Sequence, residues 1–447
     1  MRLLDTLTDS LVELPPPPEP IGIYVCGPTV YQRAHIGNAR PFVVFMWLAR
    51  WLRARGHDVR LVHNITDVND KIYEAAPGRS AARAREATAW YLEDTEGFGL
   101  GMPDAQPLAT ETIPEIISMI EELLASGHAY TVDGDVYFRV ARFAGYGALS
   151  GHRPDQVEEQ EPSPAKEDPR DFALWKATKE GEDTSWETPW GVGRPGWHIE
   201  CSAMAAKELG PEFWIHGGGV DLVFPHHENE RAQSLSVGHP FARIWMHNGL
   251  LRFTGEKMSK SLGNVATIRE VLDEWGAETA LVFFLTAHWR KPIDFSEQTM
   301  AAAAAQWRRL SEVTVADEHP PSPSWDEFVA CLEDDFNTPE ALSILHRWHA
   351  AGVADLLERG LDVFGLPTPT RVHKAHVSFG MRFEDAVPGE MSRKVPAHVV
   401  ELLEQRLEAR RRRDYATSDE LRARIQAEGF EVEDTPDGSR LVIRERE

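Results

Sequence analysis

The chain has 447 residues, of which 42% are hydrophobic, and a formal net charge of −24 at pH 7. This length predicts two to four domains with a substantial core. We find neither a signal-peptide pattern nor an apolar run of about 18 residues, so we expect a soluble, cytoplasmic protein without a membrane span. Three cysteines argue against a disulfide framework. The acidic balance opposes general nucleic-acid binding, so any such contact must use local basic patches.

The first 97 residues alternate strand and helix patterns, as in one half of a nucleotide-binding sheet. An apolar strand, residues 21–25, enters a turn that contains Gly and Pro, and the apolar stretch 42–52 follows as a helix. Between them lies Ala-His-Ile-Gly-Asn-Ala-Arg, the first motif. A strand–loop–helix aims backbone N–H groups and a positive helix end at phosphate. Gly37 lets a nucleotide approach the backbone, and His35 and Asn38 are placed near the helix end.

Residues 98–190 are predicted to form an insertion in this sheet. They contain an amphipathic helix over 113–126 and short strands such as 135–140. The sheet then resumes over 191–297. We therefore expect a nucleotide-binding sheet in two halves, separated by a smaller domain.

Zinc binds thiolate sulfur, imidazole nitrogen and carboxylate oxygen, and four residues of the chain can supply such a set. These candidate metal ligands are Cys26, Cys201, His226 and Glu230. Pro225 suits a helix start, which places residues 226 and 230 one turn apart on one face. His216 and His227 are rival ligands, and His226 is preferred because of this pairing with Glu230. The alternative is a pair of buried core thiols and a surface His-Glu pair.

A second motif, Lys-Met-Ser-Lys-Ser, covers residues 257–261. Lys257 and Lys260 supply two cations, and Ser259 adds a small hydroxyl group. Glycines stand on both sides of the motif, so this loop can close over a triphosphate. Its place after the first motif is the order that a split nucleotide-binding fold requires.

The C-terminal third is predicted to be helical at first and then mixed. A helical region over 298–366 is followed by a linker, 367–395, and by a module of two helices and two short strands, 396–447. Arginines recur along the helices of this module, and they either contact nucleic acid or form a solvated face balanced by glutamates. They are Arg406, Arg410, Arg411, Arg412, Arg413, Arg422 and Arg424.

Together the two motifs resemble the signatures of class I aminoacyl-tRNA synthetases, and with the zinc-type ligands the chain resembles the cysteinyl-tRNA synthetases. The blocks 64–72, 193–204 and 334–341 are also similar to recurring blocks of that family. The resemblance implies an α/β fold: a Rossmann-like class I catalytic domain split into 1–97 and 191–297 by a connective insertion. An α-helical bundle domain and a small C-terminal α+β anticodon-binding module would follow.

The resemblance implies a cysteine–tRNA ligase. Such an enzyme activates L-cysteine with ATP to cysteinyl adenylate and pyrophosphate, and transfers cysteine to the 3′-terminal adenosine of tRNA-Cys. One Zn²⁺ per chain would bind the substrate thiolate, Mg²⁺ would accompany ATP, and a monomer is expected. The ATP-binding and catalytic residues implied are His35, Gly37, Asn38, Lys257, Ser259 and Lys260. The candidate contacts to the amino acid are Thr66, Trp197, His198 and Asp221.

Two alternatives stay open. The first is a cysteine ligase whose acceptor is an amino-sugar, as in mycothiol synthesis, and the basic C-terminal module disfavours it. The second is a non-catalytic zinc-containing tRNA-binding protein, which the intact motifs disfavour. The chain departs from the family at Asn69, where aspartate is more usual, and at Leu441, which stands in place of tryptophan. Its helical region is also shorter than usual.

Overall fold

The structure is a computed structural model, in which the chain forms two compact units. The first unit comprises Met1–Ala305, Asp326–Leu342 and Val363–Gly365, and the second comprises Gln306–Trp325, Ser343–Asp362 and Leu366–Glu447. The residues that the structure describes are 1–152, 162–253, 266–315, 320–379, 381–383 and 395–445. Among these residues, no helix has the length and apolar character needed to cross a membrane.

A four-stranded parallel sheet, here the central sheet, lies at the core of the first unit. Its strands, in spatial order, are Phe241–Asn248, Glu212–Gly219, Ile21–Val25 and Val59–His63. The strands are rich in Ile, Val and aromatic residues, and most of their side chains are buried. This is typical of a parallel sheet covered on both faces. The two halves of the sheet come from both sides of the insertion, as predicted.

The helix Ile36–Ala54 connects the two N-terminal strands of the central sheet and packs against it. We predicted this helix from the apolar run 42–52, but it begins at Ile36, so the first motif itself forms its first turn. Asn38 Oδ1 accepts a hydrogen bond from the His35 backbone N–H at 3.2 Å, which stabilises the helix start. The positive end of the helix dipole therefore lies at the first motif.

The insertion forms a five-stranded antiparallel sheet and the helix Ile113–Ala125. Its strands, in spatial order, are Ala129–Val132, Asp135–Phe138, Phe172–Ala177, Gly191–Pro195 and Trp186–Thr188. The sheet extends five residues beyond the predicted boundary at residue 190, because Gly191–Pro195 pairs with Phe172–Ala177 instead of joining the central sheet. The predicted amphipathic helix is confirmed, and its apolar face packs in the core of the insertion.

The first unit also contains further helices and two strand pairs. Asn69 precedes the helix Asp70–Ala75, and its side-chain oxygen accepts a hydrogen bond from the Lys71 backbone N–H at 3.1 Å. Asparagine and aspartate cap helices about equally well, so the departure at Asn69 keeps the cap. The other helices are Ser80–Glu96, Trp197–Leu209, Glu228–Ser236, Ile268–Trp275 and Ala277–Leu285. The strand pairs are Arg2–Asp5 with Ser10–Glu13, and Leu251–Phe253 with Ile293–Phe295.

Four helices occupy the stretch predicted to be helical. They are Glu297–Leu310, Trp325–Glu333, Thr338–Ala351 and Ala354–Val363. In the second unit, a sheet combines Glu312–Thr314 with three strands from the C-terminal part of the chain, and the helices Ala397–Arg411 and Tyr415–Ala427 pack beside it. The strands of this C-terminal sheet, in spatial order, are Glu312–Thr314, Thr370–Ser378, Gly438–Glu445 and Glu431–Thr435.

The strand Thr370–Ser378 corrects the prediction that residues 367–395 are only a linker. It pairs with Gly438–Glu445 on one side and with Glu312–Thr314 on the other. Neither partner is near it in sequence. Its own residues alternate poorly between apolar and polar, so long-range pairing decides its conformation.

Candidate functional site

The carboxyl ends of the parallel strands place the first ligand candidates at one edge of the central sheet. Cys26 directly follows the strand Ile21–Val25, and its backbone N–H donates a hydrogen bond to Gly217 O at 2.9 Å. Gly217 has no room for a side chain, since a Cβ atom there would lie 2.0 Å from the Phe45 ring. The helix Ile36–Ala54 therefore packs closely against the strand Glu212–Gly219.

The fold brings Cys26, Cys201, His226 and Glu230, here the ligand cluster, to one point. One candidate ligand atom from each residue lies within 4.8 Å of the others, and all four residues are buried. His226 Nε2 lies 3.1 Å from Glu230 Oε1, and Cys26 Sγ lies 3.4 Å from the same oxygen. Cys201 lies on the helix Trp197–Leu209, Glu230 lies on the helix Glu228–Ser236, and His226 lies just before that second helix.

A second set of four residues also converges on Glu230. It consists of Cys26, His216, His227 and Glu230, within the same 4.8 Å limit. His216 Nε2 lies 2.8 Å from Glu230 Oε2, closer than either other histidine is to this carboxylate. His226 is the histidine one helical turn from Glu230, but His216 also reaches this carboxylate, from the strand Glu212–Gly219. The ligand cluster is nevertheless the better zinc site, because it contains two thiols and the second set contains one.

Aromatic and imidazole rings surround His226. Trp197 stacks on it with ring centroids 4.3 Å apart, and His198 Nδ1 lies 3.0 Å from His226 Nδ1. On the far side, His227 Nδ1 lies 2.7 Å from His247 Nε2, and His247 Nδ1 lies 2.7 Å from Thr6 Oγ1. Partners of this kind orient metal-binding imidazoles. Sequence reasoning missed His247 because it lies in an apolar strand, where no local pattern marks it.

The electrostatics of the ligand cluster favour one thiolate. Burial opposes ionisation of Cys201, but hydrogen bonds from Cys26 and His226 lower the pKa of this thiol to about 6. Burial raises the pKa of Cys26 well above its ordinary value, and the neighbouring Cys201 raises it further. The pKa of His226 is raised: burial lowers it, but the charges of Glu230 and Cys201 outweigh burial. A low-pKa thiol among nitrogen and oxygen donors fits a zinc site.

His35 stands at the start of the helix Ile36–Ala54, with Gly37 beneath its ring. A Cβ atom on Gly37 would lie 2.9 Å from two atoms of that ring, so glycine is required for this ring position. Burial lowers the pKa of His35, although the charge of Asp221 opposes the shift. Its Nδ1 atom is buried and has no hydrogen-bond partner among the described residues. A neutral imidazole with an unused nitrogen is suited to a phosphate oxygen.

Lys257, Ser259 and Lys260 lie outside the described residues. The described segments on either side of them both approach the first motif. Before them, Arg40 Nη1 donates a hydrogen bond to Gly249 O at 2.5 Å, and Leu251 Cβ lies 3.7 Å from the Cβ position of Gly37. After them, residues 266–268 pair with residues 34–36 through two backbone hydrogen bonds. The described segments 249–251 and 266–268 therefore both contact the first motif.

The predicted amino-acid contacts lie around the same edge. Thr66 is buried, and backbone hydrogen bonds in both directions join it to residues 28–30, just after Cys26. Trp197 and His198 contact His226, as described above. Asp221 follows the strand Glu212–Gly219; its charge opposes the lowering of the His35 pKa by burial and adds to the raised pKa of His226.

The C-terminal arginines divide into two groups. Arg406 is fully buried and makes two hydrogen bonds to the Asp434 carboxylate, at 2.7 and 2.9 Å. Arg410 donates to Gly438 O at 2.7 Å, so both side chains face the hairpin of the module. Arg411 and Arg412 stay 65% and 75% exposed. The predicted basic patch is therefore smaller than the sequence indicated.

Leu441 is completely buried in the core of the C-terminal module. It lies opposite Val432 on the neighbouring strand. A side chain in this position cannot stack on a nucleic-acid base. The departure from the family at this residue is thus a change within the core.

Two family models match this chain, and known proteins are similar to it in sequence and in fold. A model described as the catalytic domain of class I (C) tRNA synthetases matches residues 15–305, and a DALR domain model matches residues 327–351. The cysteine–tRNA ligase of Pelotomaculum thermopropionicum is 41% identical and aligns over 98% of this chain and 99% of its own. That of Halorhodospira halophila is 43% identical over the same shares. The methionyl-tRNA synthetase of Mycobacterium tuberculosis bound by methionyl-adenylate shares the fold, with a TM-score of 0.53, 15% identity, and coverage of 77% of this chain and 81% of that one.

Proposed function

Because this chain belongs to the cysteine–tRNA ligase family, we propose that its ligand cluster holds one zinc ion that selects the cysteine substrate. The chain is a class I ligase that forms aminoacyl-tRNA from cysteine, ATP and tRNA. The single observation that carries the zinc proposal is the convergence of two thiols, an imidazole and a carboxylate within 4.8 Å in a buried site. The site lies at the carboxyl edge of the central sheet.

Selection of cysteine against serine is the task that this cluster would solve. A pocket with apolar contacts alone separates such close analogues by roughly 10–200-fold. When bound, zinc supplies a Lewis acid that takes a thiolate as ligand, whereas an alcohol stays protonated and binds weakly. Trp197 and His198 would hold the His226 ring in place. Glu230, a carboxylate with two oxygens, would make room for one more ligand.

Adenylate formation would take place beside the cluster, at the start of the helix Ile36–Ala54. The carboxylate of cysteine attacks the α-phosphorus of ATP and pyrophosphate leaves, so the barrier is one of alignment and charge. His35 would donate a hydrogen bond to a phosphate oxygen, and Asn38 would hold the backbone of the helix start. Lys257 and Lys260 would neutralise the departing pyrophosphate, and Ser259 and Mg²⁺ would assist in ATP binding.

Asp221 would bind the α-ammonium group of the substrate. It lies just after the strand Glu212–Gly219, at the carboxyl edge of the central sheet, and a carboxylate is a suitable partner for an ammonium group. Thr66 would border the same pocket. The acceptor is proposed to be tRNA-Cys, and the predicted cytoplasmic location and monomeric state stay predictions.

The two alternative functions are set aside. Relatives that align over nearly the whole chain, including the C-terminal module, carry the name cysteine–tRNA ligase. A ligase for an amino-sugar would have little use for that module. A non-catalytic tRNA-binding protein would not need His35 against Gly37, or a buried ligand cluster beside them.

Amino-acid-dependent ATP–pyrophosphate exchange with all twenty amino acids tests this proposal. We expect exchange with cysteine only, loss of the selectivity after zinc is removed by a chelator, and recovery when zinc is added back. Comparable exchange with serine, or selectivity that survives complete metal removal, would contradict the zinc proposal. Adding tRNA-Cys or an amino-sugar to the same assay identifies the acceptor.

A further inference from the structure

Asp94 is a buried carboxylate outside the ligand cluster that receives two guanidinium groups. It lies on the helix Ser80–Glu96 and is fully buried. Its Oδ1 atom accepts hydrogen bonds from Arg33 Nη1 at 2.8 Å and from Arg269 Nε at 3.0 Å. The neighbouring Glu93, which is 60% exposed, adds a weaker contact to each arginine, at 3.8 and 3.1 Å.

These two arginines frame the segment that carries His35. Arg33 stands two residues before His35, and Arg269 stands two residues after Thr267. His35 and Thr267 lie opposite each other in an antiparallel bridge. Hydrogen bonds from Ile36 N to Ala266 O at 2.9 Å and from Ile268 N to Ala34 O at 3.0 Å complete the pairing. A single carboxylate thus holds the chain on both sides of the bridge.

Stability alone does not account for this arrangement. A buried ion pair loses hydration free energy, and apolar residues of similar volume often stabilise a fold equally well. A carboxylate with two guanidinium partners fixes the orientation of both arginine side chains, because each guanidinium donates hydrogen bonds in a fixed planar fork. The Arg33 guanidinium also lies 5.3 Å from the centre of the Trp90 ring, which restricts it further.

The His35 side chain depends on this support from the backbone. Its Nδ1 atom has no hydrogen-bond partner among the described residues, and Gly37 lies against its ring. We infer that Asp94 is a positioning residue for His35: through Arg33 and Arg269 it fixes the bridge on which His35 stands. This inference rests on the proposed role of His35 in adenylate formation.

The test is Asp94→Asn, which keeps the volume and removes the charge. We expect kcat for cysteine-dependent pyrophosphate exchange to fall roughly tenfold, because small misplacement of a catalytic group slows the chemical step. The KM for cysteine and the zinc content should change by less than about twofold, since the ligand cluster is untouched. A kcat within about twofold of the wild-type value would overturn the inference.

Asp171→Asn is the matched control. Asp171 is also buried, and it accepts hydrogen bonds from Tyr130 Oη at 2.8 Å and from Val140 N at 2.9 Å, within the insertion. Its loss should lower stability and leave kcat unchanged. An equal fall in kcat for both variants would show a general effect of losing a buried carboxylate, and would overturn the inference.

A double variant separates positioning from structure. In a His35→Ala background, Asp94→Asn should lower kcat by less than about twofold more, because the group that it positions is absent. Equal losses in both backgrounds would overturn the inference. If His35→Ala itself left exchange unchanged, the proposed role of His35 would fail instead. Should Asp94→Asn not fold, Arg269→Lys tests the same link, with the same expected pattern, because lysine keeps the charge and loses the fork.

Discussion

The ligand cluster and Arg406 of the C-terminal module are both buried polar groups, but the charges of the groups that face them differ. In the ligand cluster, two thiols, an imidazole and a carboxylate face one another, and each can donate an electron pair. In the module, the Arg406 guanidinium faces the Asp434 carboxylate, so cation and anion satisfy each other. Converging electron-pair donors can share one cation, whereas a guanidinium and a carboxylate already neutralise each other.

Lys260→Ala should have the largest effect on the rate of adenylate formation. It sharpens this comparison because it tests the chemical step without changing the ligand cluster. Because Lys260 is proposed to meet charge that develops as pyrophosphate leaves, adenylate formation should slow by about 10²–10³-fold. Zinc content and the equilibrium binding of cysteine should stay at wild-type values. Single-turnover kinetics with metal analysis measures both, and a rate within about twofold of wild type would remove this residue from the mechanism.

Cys201→Ser tests whether the converging donors hold a metal. Loss of an outer partner of a metal ligand costs roughly 10–100-fold in metal affinity, so loss of a ligand should cost at least that much. Zinc content and discrimination against serine should fall together. Ala203→Ser, on the same helix, is the control for an added hydroxyl group. A Cys201→Ser protein that kept both zinc and selectivity would break the comparison.

Arg406→Ala tests the matched pair. Removing one partner leaves the other charge poorly compensated, so the free energy of unfolding of the module should fall by about 3 kcal/mol. Hydrogen exchange of the strand Gly438–Glu445 reports this loss. Cysteine-dependent pyrophosphate exchange should be unaffected, because its residues lie in the first unit. Unchanged protection of that strand would show that the pair contributes little.

The double substitution of Arg411 and Arg412 by alanine should give the smallest effect. These side chains are exposed, so they should contribute to tRNA binding and hardly to stability. We expect charging efficiency for tRNA-Cys to fall by roughly tenfold at low salt and the salt dependence of binding to become shallower. Arg60 and Arg243, also exposed, provide the control with an equal loss of charge. An equal fall in charging efficiency for both double variants would show that Arg411 and Arg412 only form a solvent-exposed helix face and do not contact tRNA.

Truncation after Val395 is not a clean test of tRNA binding. The strand Thr370–Ser378 pairs with Gly438–Glu445 from Arg371 to Ser378. Removal of residues after 395 would expose that strand edge and would leave Val377 and Phe383 without the rest of the core in which they are buried. Point substitutions at exposed arginines avoid this damage.

The sequence by itself determined the family resemblance, the class of fold and the four residues of the ligand cluster as candidates. It could do so because the two motifs are short continuous stretches of sequence, and because residue types that bind metals, such as cysteine, are rare in this chain. The apolar strand before Cys26 and the one-turn spacing of His226 and Glu230 are also local features. That these residues bind zinc stays a prediction, although the fold brings all four together.

Only the tertiary structure decided which polar groups meet. His216 is the closest histidine to Glu230, although His216 lies on the strand Glu212–Gly219 and Glu230 lies on a helix. His247, on the strand Phe241–Asn248, contacts His227. The arginines of the C-terminal helices cannot be told apart in the sequence. In the structure, Arg406 is buried and paired with Asp434, whereas Arg411 is exposed to solvent. The physical reason is the same in each case: hydrogen bonds and ion pairs depend on distances of a few ångströms, and strand pairing between distant segments sets those distances.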